Sequence, residues 1–253
     1  MALFQKSVVN RHLKNLDENE VNLAYKKFQK FYGNKERLQN IMQLKEENYQ
    51  HGFLREIFVE VLGYTLNPDK NYNLTTEYKN LTDNRKADGA ILKWEQGVAT
   101  PCAIIELKST KTRDLESIKE QAFGYKNNQP ECKYVITSNF QSLRFYIDNA
   151  TEYEEFNLFD LAQPAATNGL SHRFTEFYLI LNSESILNHL PEKLKQETKF
   201  HDELITEKLY NDYQAFKNRI FENLVGGNPQ YDKLTLFKKS QKLLDRLLFI
   251  MFA

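Results

Sequence analysis

Two acids and a lysine on adjacent short apolar segments are the residues in this chain that could do chemistry. Asp88 lies in Ala87-Asp88-Gly89-Ala90-Ile91-Leu92, and Glu106 and Lys108 lie in Ala103-Ile104-Ile105-Glu106-Leu107-Lys108. A β-strand alternates its faces residue by residue, so Glu106 and Lys108 point one way while Ile105 and Leu107 point the other, toward a core. A turn at Glu95-Gln96-Gly97-Val98, centred near Gly97, would fold the strands back and set residue 88 opposite residue 106. Directly opposed residues sit about 5 Å apart. Carboxylates that close repel each other unless a cation lies between them, and oxygen ligands suit Mg²⁺.

Glu-x-Lys recurs at Glu77-Lys79, Glu131-Lys133 and Glu197-Lys199, so the tripeptide alone carries little. Context separates the copies. Glu131 follows Pro130 in a polar turn, Glu197 lies in a run of charges, and Glu77 has no apolar flank. Only Glu106 sits inside an apolar strand, where a charge needs a reason. The competing explanation is a strand-end salt bridge between a lysine and Glu106 or Asp88.

Those strands need elements to hold them. Residues 8–43 carry helical spacing, with Asp17 as a cap for Val21, Leu23, Ala24, Phe28 and Phe31. A second helix over about 46–62 presents Leu54, Phe58 and Val61 as one stripe and stops at Gly63. Strands follow at about 73–79, 87–94 and 98–108, then a helix over about 113–127 and a strand at Tyr134. A further hairpin spans Leu143 to Asp148 and Tyr153 to Leu158. The character changes near Pro164-Ala165-Ala166-Thr167-Asn168-Gly169, and from about 172 the pattern is helical, broken at Gly226-Gly227-Asn228-Pro229. Three regions result: a helical segment over 1–45, an α/β domain over 46–165 and a helical connector over 166–253. The last helix ends strongly apolar and uncapped, which implies that the natural chain continues.

Composition narrows the partners. Lys and Arg number 34 and so do Asp and Glu, so no global field draws the chain to nucleic acid or membrane, and any DNA contact rests on local patches. Cys102 and Cys132 suit buried, reduced thiols, and the five histidines show no zinc-ligand spacing. No apolar run approaches a membrane span and the first residues lack a signal-peptide core. A cytoplasmic protein is expected.

The order helix, three strands with Asp88 and Glu106-Leu107-Lys108, helix, strand resembles the PD-(D/E)xK nuclease fold of many restriction enzymes, an αβββαβ sandwich. The Pro that usually precedes the first acid is Ala87 here. Gln121-Ala122-Phe123-Gly124-Tyr125 fits the Q-x-x-x-Y motif of nuclease domains similar to those of RecB and the type I restriction motor subunits. Gln121 and Tyr125 are four apart and share a helix face. More widely, the chain resembles the N-terminal part of type IIG restriction enzymes. The resemblance rests on the run from Gln50 to Tyr64, the Asp88 and Glu106-Leu107-Lys108 core, Phe156-Asn157-Leu158-Phe159-Asp160-Leu161, and the closing run from Gln241 to Phe252.

This resemblance implies a bacterial enzyme hydrolysing double-stranded DNA with Mg²⁺, or with Mn²⁺ in its place. Asp88, Glu106 and the Leu107 carbonyl would hold the metal, and Lys108 would stabilise charge or position water. Gln121 and Tyr125 would orient Lys108 or touch DNA. A first-helix carboxylate often joins such sites; Glu47 is the first candidate, because Glu47, Gln50, Leu54 and Phe58 form one stripe, with Glu46 and Glu56 behind it. Lys86, Arg85, Lys111, Arg113 and Lys119 could contact phosphates. The implied partners are methyltransferase and target-recognition domains of the parent chain and a transient dimer for double-strand cleavage. The chain has no Gly-rich cofactor loop and no Asn-Pro-Pro-Tyr, so no S-adenosylmethionine site is expected. The alternatives are a type I-like motor subunit and a non-catalytic DNA-binding or assembly module on the same fold.

Overall fold

The protein is described from a computed structural model covering residues 3–79, 86–163 and 170–252. Arg85 and the break anticipated at 164–169 lie outside these residues. The chain divides into two compact units, Met1–Gln196 and Glu197–Ala253.

In the first unit, the 8–43 stretch becomes three helices, α1 (Lys6–Leu13), α2 (Glu18–Tyr32) and α3 (Lys35–Gln43). Asp17 accepts the Asn19 N–H at 2.8 Å and Asn34 accepts the Arg37 N–H at 3.1 Å, so side-chain oxygens start two of the three. α4 (Glu46–Phe53) passes into wider π-helical turns over Leu54–Val61, where the Leu62 N–H reaches back to the Ile57 carbonyl at 2.9 Å. Gly63, at φ 79°, ends the run in a backbone conformation that suits glycine.

The fold is mixed α/β, built on an open six-stranded sheet in the order β1 (Leu74–Lys79), β2 (Lys86–Glu95), β3 (Val98–Leu107), β4 (Tyr134–Ser138), β5 (Ser142–Ile147), β6 (Tyr153–Asn157). All neighbours are antiparallel except β3 and β4, which run parallel through the crossover helix α5 (Glu116–Lys126). On one face Ile91, Ala103, Ile105, Leu107, Ile136 and Phe145 bury against Phe28, Phe53 and Phe58. On the other, Ala90, Leu92 and Ile104 pack with Tyr125 of α5, and Val135 and Tyr146 pack with Ala122. Both sheet faces are thus covered by helices. Cys102 and Cys132 are buried and free, and burial pushes both thiols up to about 12.

After α6 (Leu158–Leu161) come α7 (His172–Leu181) and α8 (Ser183–Leu187). Phe174 and Phe177 of α7 lie 5.2 and 6.1 Å from Phe28, so the helical stretch expected from 166 contributes its first helices to the same core as the sheet. α9 (Leu190–Gly227) starts in the first unit, where Leu194 is buried. The second unit takes the rest of α9 and α10 (Lys233–Phe252). Phe221 meets Phe237 edge-on at 5.6 Å and the Tyr213 hydroxyl donates to Asp245 at 3.0 Å. Among the described residues no helix is long and apolar enough to cross a membrane.

The β2–β3 hairpin sets the chemistry. Glu95 faces Val98 across Gln96 and Gly97, whose φ values of 51° and 81° are those of a tight two-residue hairpin turn. Followed without interruption, that register would put Asp88 opposite Ile105. A bulge intervenes: Ile91 faces Ala103 but Leu92 faces Pro101, and Cys102 is the extra residue. Beyond it Gly89 faces Ile105, which brings Asp88 level with Glu106.

Candidate active site

Asp88 is the third residue of β2, at the end of the ladder with β3. Its Oδ2 accepts the Leu107 main-chain N–H at 2.7 Å, tying the acid across to β3, and its Oδ1 accepts from Gln50 Nε2 at 2.9 Å. Gly89 follows it because space is short: a Cβ there would come within 3.3 Å of the Thr75 carbonyl and 3.5 Å of Leu54 Cδ1. Glu106, the penultimate residue of β3, is 1% exposed. Lys108 follows the strand and still pairs with β4, donating its N–H to the Ser138 carbonyl at 2.8 Å.

The Lys108 ammonium is held by three oxygens: Glu106 Oε1 at 3.0 Å, the Leu107 carbonyl at 3.0 Å and Glu46 Oε1 at 3.2 Å. Gln50 Nε2 donates to Glu46 Oε1 at 3.1 Å as well as to Asp88, so one amide joins the first-helix acid to the strand acid. The carboxylate that α4 brings to the cluster is therefore Glu46. Glu47 is exposed on the next position round the helix, and Glu56 is engaged elsewhere, accepting from the Tyr49 hydroxyl at 2.7 Å and pairing with Arg37. No motif signals the amide bridge from Gln50; its traces are its place in the stripe with Leu54 and Phe58 and its four-residue spacing from Glu46.

Burial pushes the Glu106 carboxyl up to about 7, the Asp88 charge adds to the rise and Lys108 opposes it. Asp88 is also raised by burial, against the pull of the Leu107 N–H and Lys108. For Lys108, burial alone would lower the pKa, but Glu106 first, then Asp88 and Glu46, carry it above the ordinary lysine value. The cluster is thus an uncomfortable place for uncompensated negative charge.

That environment can be tested for a cation. Glu106 Oε2 is buried and has no hydrogen-bond partner. A buried carboxylate oxygen with open lone pairs, close to a second carboxylate and a main-chain carbonyl, fits a hard divalent ion. Among the described residues no group of three or more His, Cys, Asp or Glu side chains is arranged to hold an ion. Asp88, Glu106 and the Leu107 carbonyl form a partial oxygen set, which suits Mg²⁺, an ion that keeps several of its waters.

The remaining candidates spread outward. On α5, Gln121 is exposed and donates to the Tyr125 hydroxyl at 3.3 Å, while the Tyr125 ring is buried in the layer beneath the helix. The hydrogen bonds of Asp88 and Lys108 described above run to α4, β3 and β4. Lys111 and Arg113 are exposed in the loop between β3 and α5. Lys86 is exposed and paired with Glu77 at 2.6 Å, and Lys119 pairs with Glu116. No family model, curated protein or solved structure matches the chain.

Proposed function

We propose that the first unit is a metal-dependent nuclease centre that hydrolyses phosphodiester bonds in double-stranded DNA, on a restriction-endonuclease-like αβββαβ sandwich. The observation that carries the reading is Glu106: a strand acid 1% exposed, with one oxygen unpartnered, beside Asp88 and Lys108. A folded chain tolerates so costly a group where it has a task. The order of elements and the Gln121–Tyr125 pair support the reading, and the type IIG restriction enzymes are the parent class whose motifs this chain resembles.

Asp88, Glu106 and the Leu107 carbonyl would hold Mg²⁺ or Mn²⁺. The ion supplies charge for the scissile phosphate and lowers the pKa of water. Gln50 holds Asp88 in place, and the Leu107 N–H fixes its second oxygen. Lys108, now bound to the Glu106 and Glu46 carboxylates, faces the same cluster and stabilises negative charge developing on the phosphoryl oxygens. Lys111 and Arg113 are free to meet flanking phosphates, which position a duplex without reading it.

The test is plasmid cleavage with Mg²⁺ or Mn²⁺ by the protein and its Asp88→Ala and Lys108→Ala forms. Cutting is expected to fall by at least a hundredfold in each while DNA binding persists. Undiminished cutting by either folded variant would remove the assignment. One observation favours a non-catalytic module on the same fold: the Lys108 ammonium already compensates Glu106 and Glu46, as a purely structural ion pair would. That module would bind no divalent cation at these residues.

A further inference from the structure

Glu106 has neighbours across the sheet that the site above does not use. β3 and β4 run parallel with Glu106 level with Thr137, and in the next pairing Thr137 is level with Arg144. Laterally paired residues point to the same face, here the face covered by α5. Tyr146, two residues beyond Arg144, packs on that face with Ala122, Val135 and Phe123. Three oxygens end in this layer without a hydrogen bond: Glu106 Oε2, Thr137 Oγ1 and the Tyr146 hydroxyl. Their residues are 1%, 0% and 0% exposed.

Buried polar atoms are nearly always satisfied in folded proteins, and each exception asks for an explanation. Packing does not explain a hydroxyl at 137, since valine fills that volume in a strand without a polar atom to desolvate. The chemistry of the three groups does. A carboxylate only accepts, a phenol has one proton to give, and a threonine hydroxyl can accept one hydrogen bond while donating another. A single chain through the three groups that ends on the ionised carboxylate runs Tyr146 to Thr137 to Glu106, with Arg144 a further donor beside the Tyr146 hydroxyl. Adjacent strands lie about 4.8 Å apart, which sets Thr137 directly beside Glu106, while Tyr146 is diagonal to Thr137, level with Val135. Burial raises the Tyr146 pKa, and the nearby Arg144 and Thr137 side chains temper the rise, which places Thr137 beside that hydroxyl.

We infer that Thr137 is a positioning residue for Glu106, supported from behind by Tyr146, and that this hydroxyl relay aims the carboxylate at the cation and at Lys108. The inference rests on the metal-centre reading. Glu106 Oε2 has lone pairs for both a hydroxyl donor and an ion. Ligating carboxylates are generally held by such outer partners, whose loss costs about 10- to 100-fold in metal affinity.

The experiment is calorimetric titration of the 253-residue chain with Mn²⁺, comparing the unchanged protein with Thr137→Val, Thr137→Ser, Tyr146→Phe and Asp88→Ala. Thr137→Val is expected to weaken Mn²⁺ binding about tenfold or more, in the range that outer partners of metal ligands show. Thr137→Ser, which keeps the hydroxyl, should bind like the unchanged protein, and Tyr146→Phe should lose a smaller factor. Thr137→Val binding as tightly as the unchanged protein overturns the inference. So does a serine variant that fails as badly as valine, because the methyl group and not the hydroxyl would then matter. A second measurement needs no metal: urea unfolding in chelator of Glu106→Gln, Thr137→Val and the double variant. Non-additive changes support the contact and strict additivity removes it. If the unchanged protein and Asp88→Ala bind no Mn²⁺ alike, the metal reading has failed, and the unfolding cycle still decides whether Thr137 holds Glu106.

Discussion

Glu106 carries the largest electrostatic strain in the cluster, and its consequence is a pH-dependent stability. An unfolded glutamate gives up its proton near the ordinary value of 4.5, whereas burial makes the folded one keep it to about 7. Between those values the native state binds the extra proton, so stability falls as pH rises through the window and the penalty is complete above it. At about 1.36 kcal/mol per pK unit the cost is on the order of 3 kcal/mol. Glu106→Gln removes the charge, so in chelator at pH 8 its melting temperature should exceed that of the unchanged protein by several degrees. Near pH 4.5 the two should converge. Thermal melts across that range check it, and a difference independent of pH would show that Glu106 titrates normally. The acids and the lysine were legible as residues because a charge in an apolar strand is conspicuous. Thr137 was not, since threonine is ordinary in strands and its importance depends on which strand lies beside it.

Among the elements, the hairpin shows how a correct pairing can be reached by incomplete counting. Taking the turn as centred on Gly97 sets Asp88 against Glu106, yet the turn is centred between Gln96 and Gly97 and the bulge at Cys102 makes up the difference. No residue type announced that bulge. The first helix went the other way. A stripe counted from Phe58 and Leu54 at the α-helical period arrives at Glu47, but the turns over Leu54–Val61 are π-helical and take about one residue more each. Gln50 keeps its place in the stripe, and the acid that joins it at Lys108 is Glu46, four residues before it, and not Glu47, three before. The turn itself invites a test. Gln96 holds φ 51° without the side-chain chemistry that favours it, so Gln96→Asn should stabilise the hairpin by a few tenths of a kcal/mol. Gly97→Ala, at φ 81°, should cost about 1 kcal/mol. Urea midpoints report both, and a neutral Gly97→Ala would mean that the turn relaxes.

For the whole molecule, the two units differ in how they bury apolar surface. Up to Leu194 the chain is drawn into one aromatic-rich core, while Leu234, Leu243, Phe249, Ile250 and Met251 in the second unit stay more than half exposed, from 54% to 77%. Residues 1–196 alone should therefore fold cooperatively, bind Mn²⁺ as the longer chain does, and bind less of a hydrophobic dye. Loss of the cooperative transition on truncation would show that the second unit is part of the same folding body. The strands, crossover helix and helical tail could be read from periodicity; the extent of the first core could not, because Phe174 and Phe177 look like any helical stripe until Phe28 is found against them. The three oxygens around Lys108 carry a last consequence. A site that brings its own counter-ion is partly compensated before any foreign one arrives, so on the metal reading proposed above maturation would split into two events: the chain would fold first around its own lysine and take up metal afterwards.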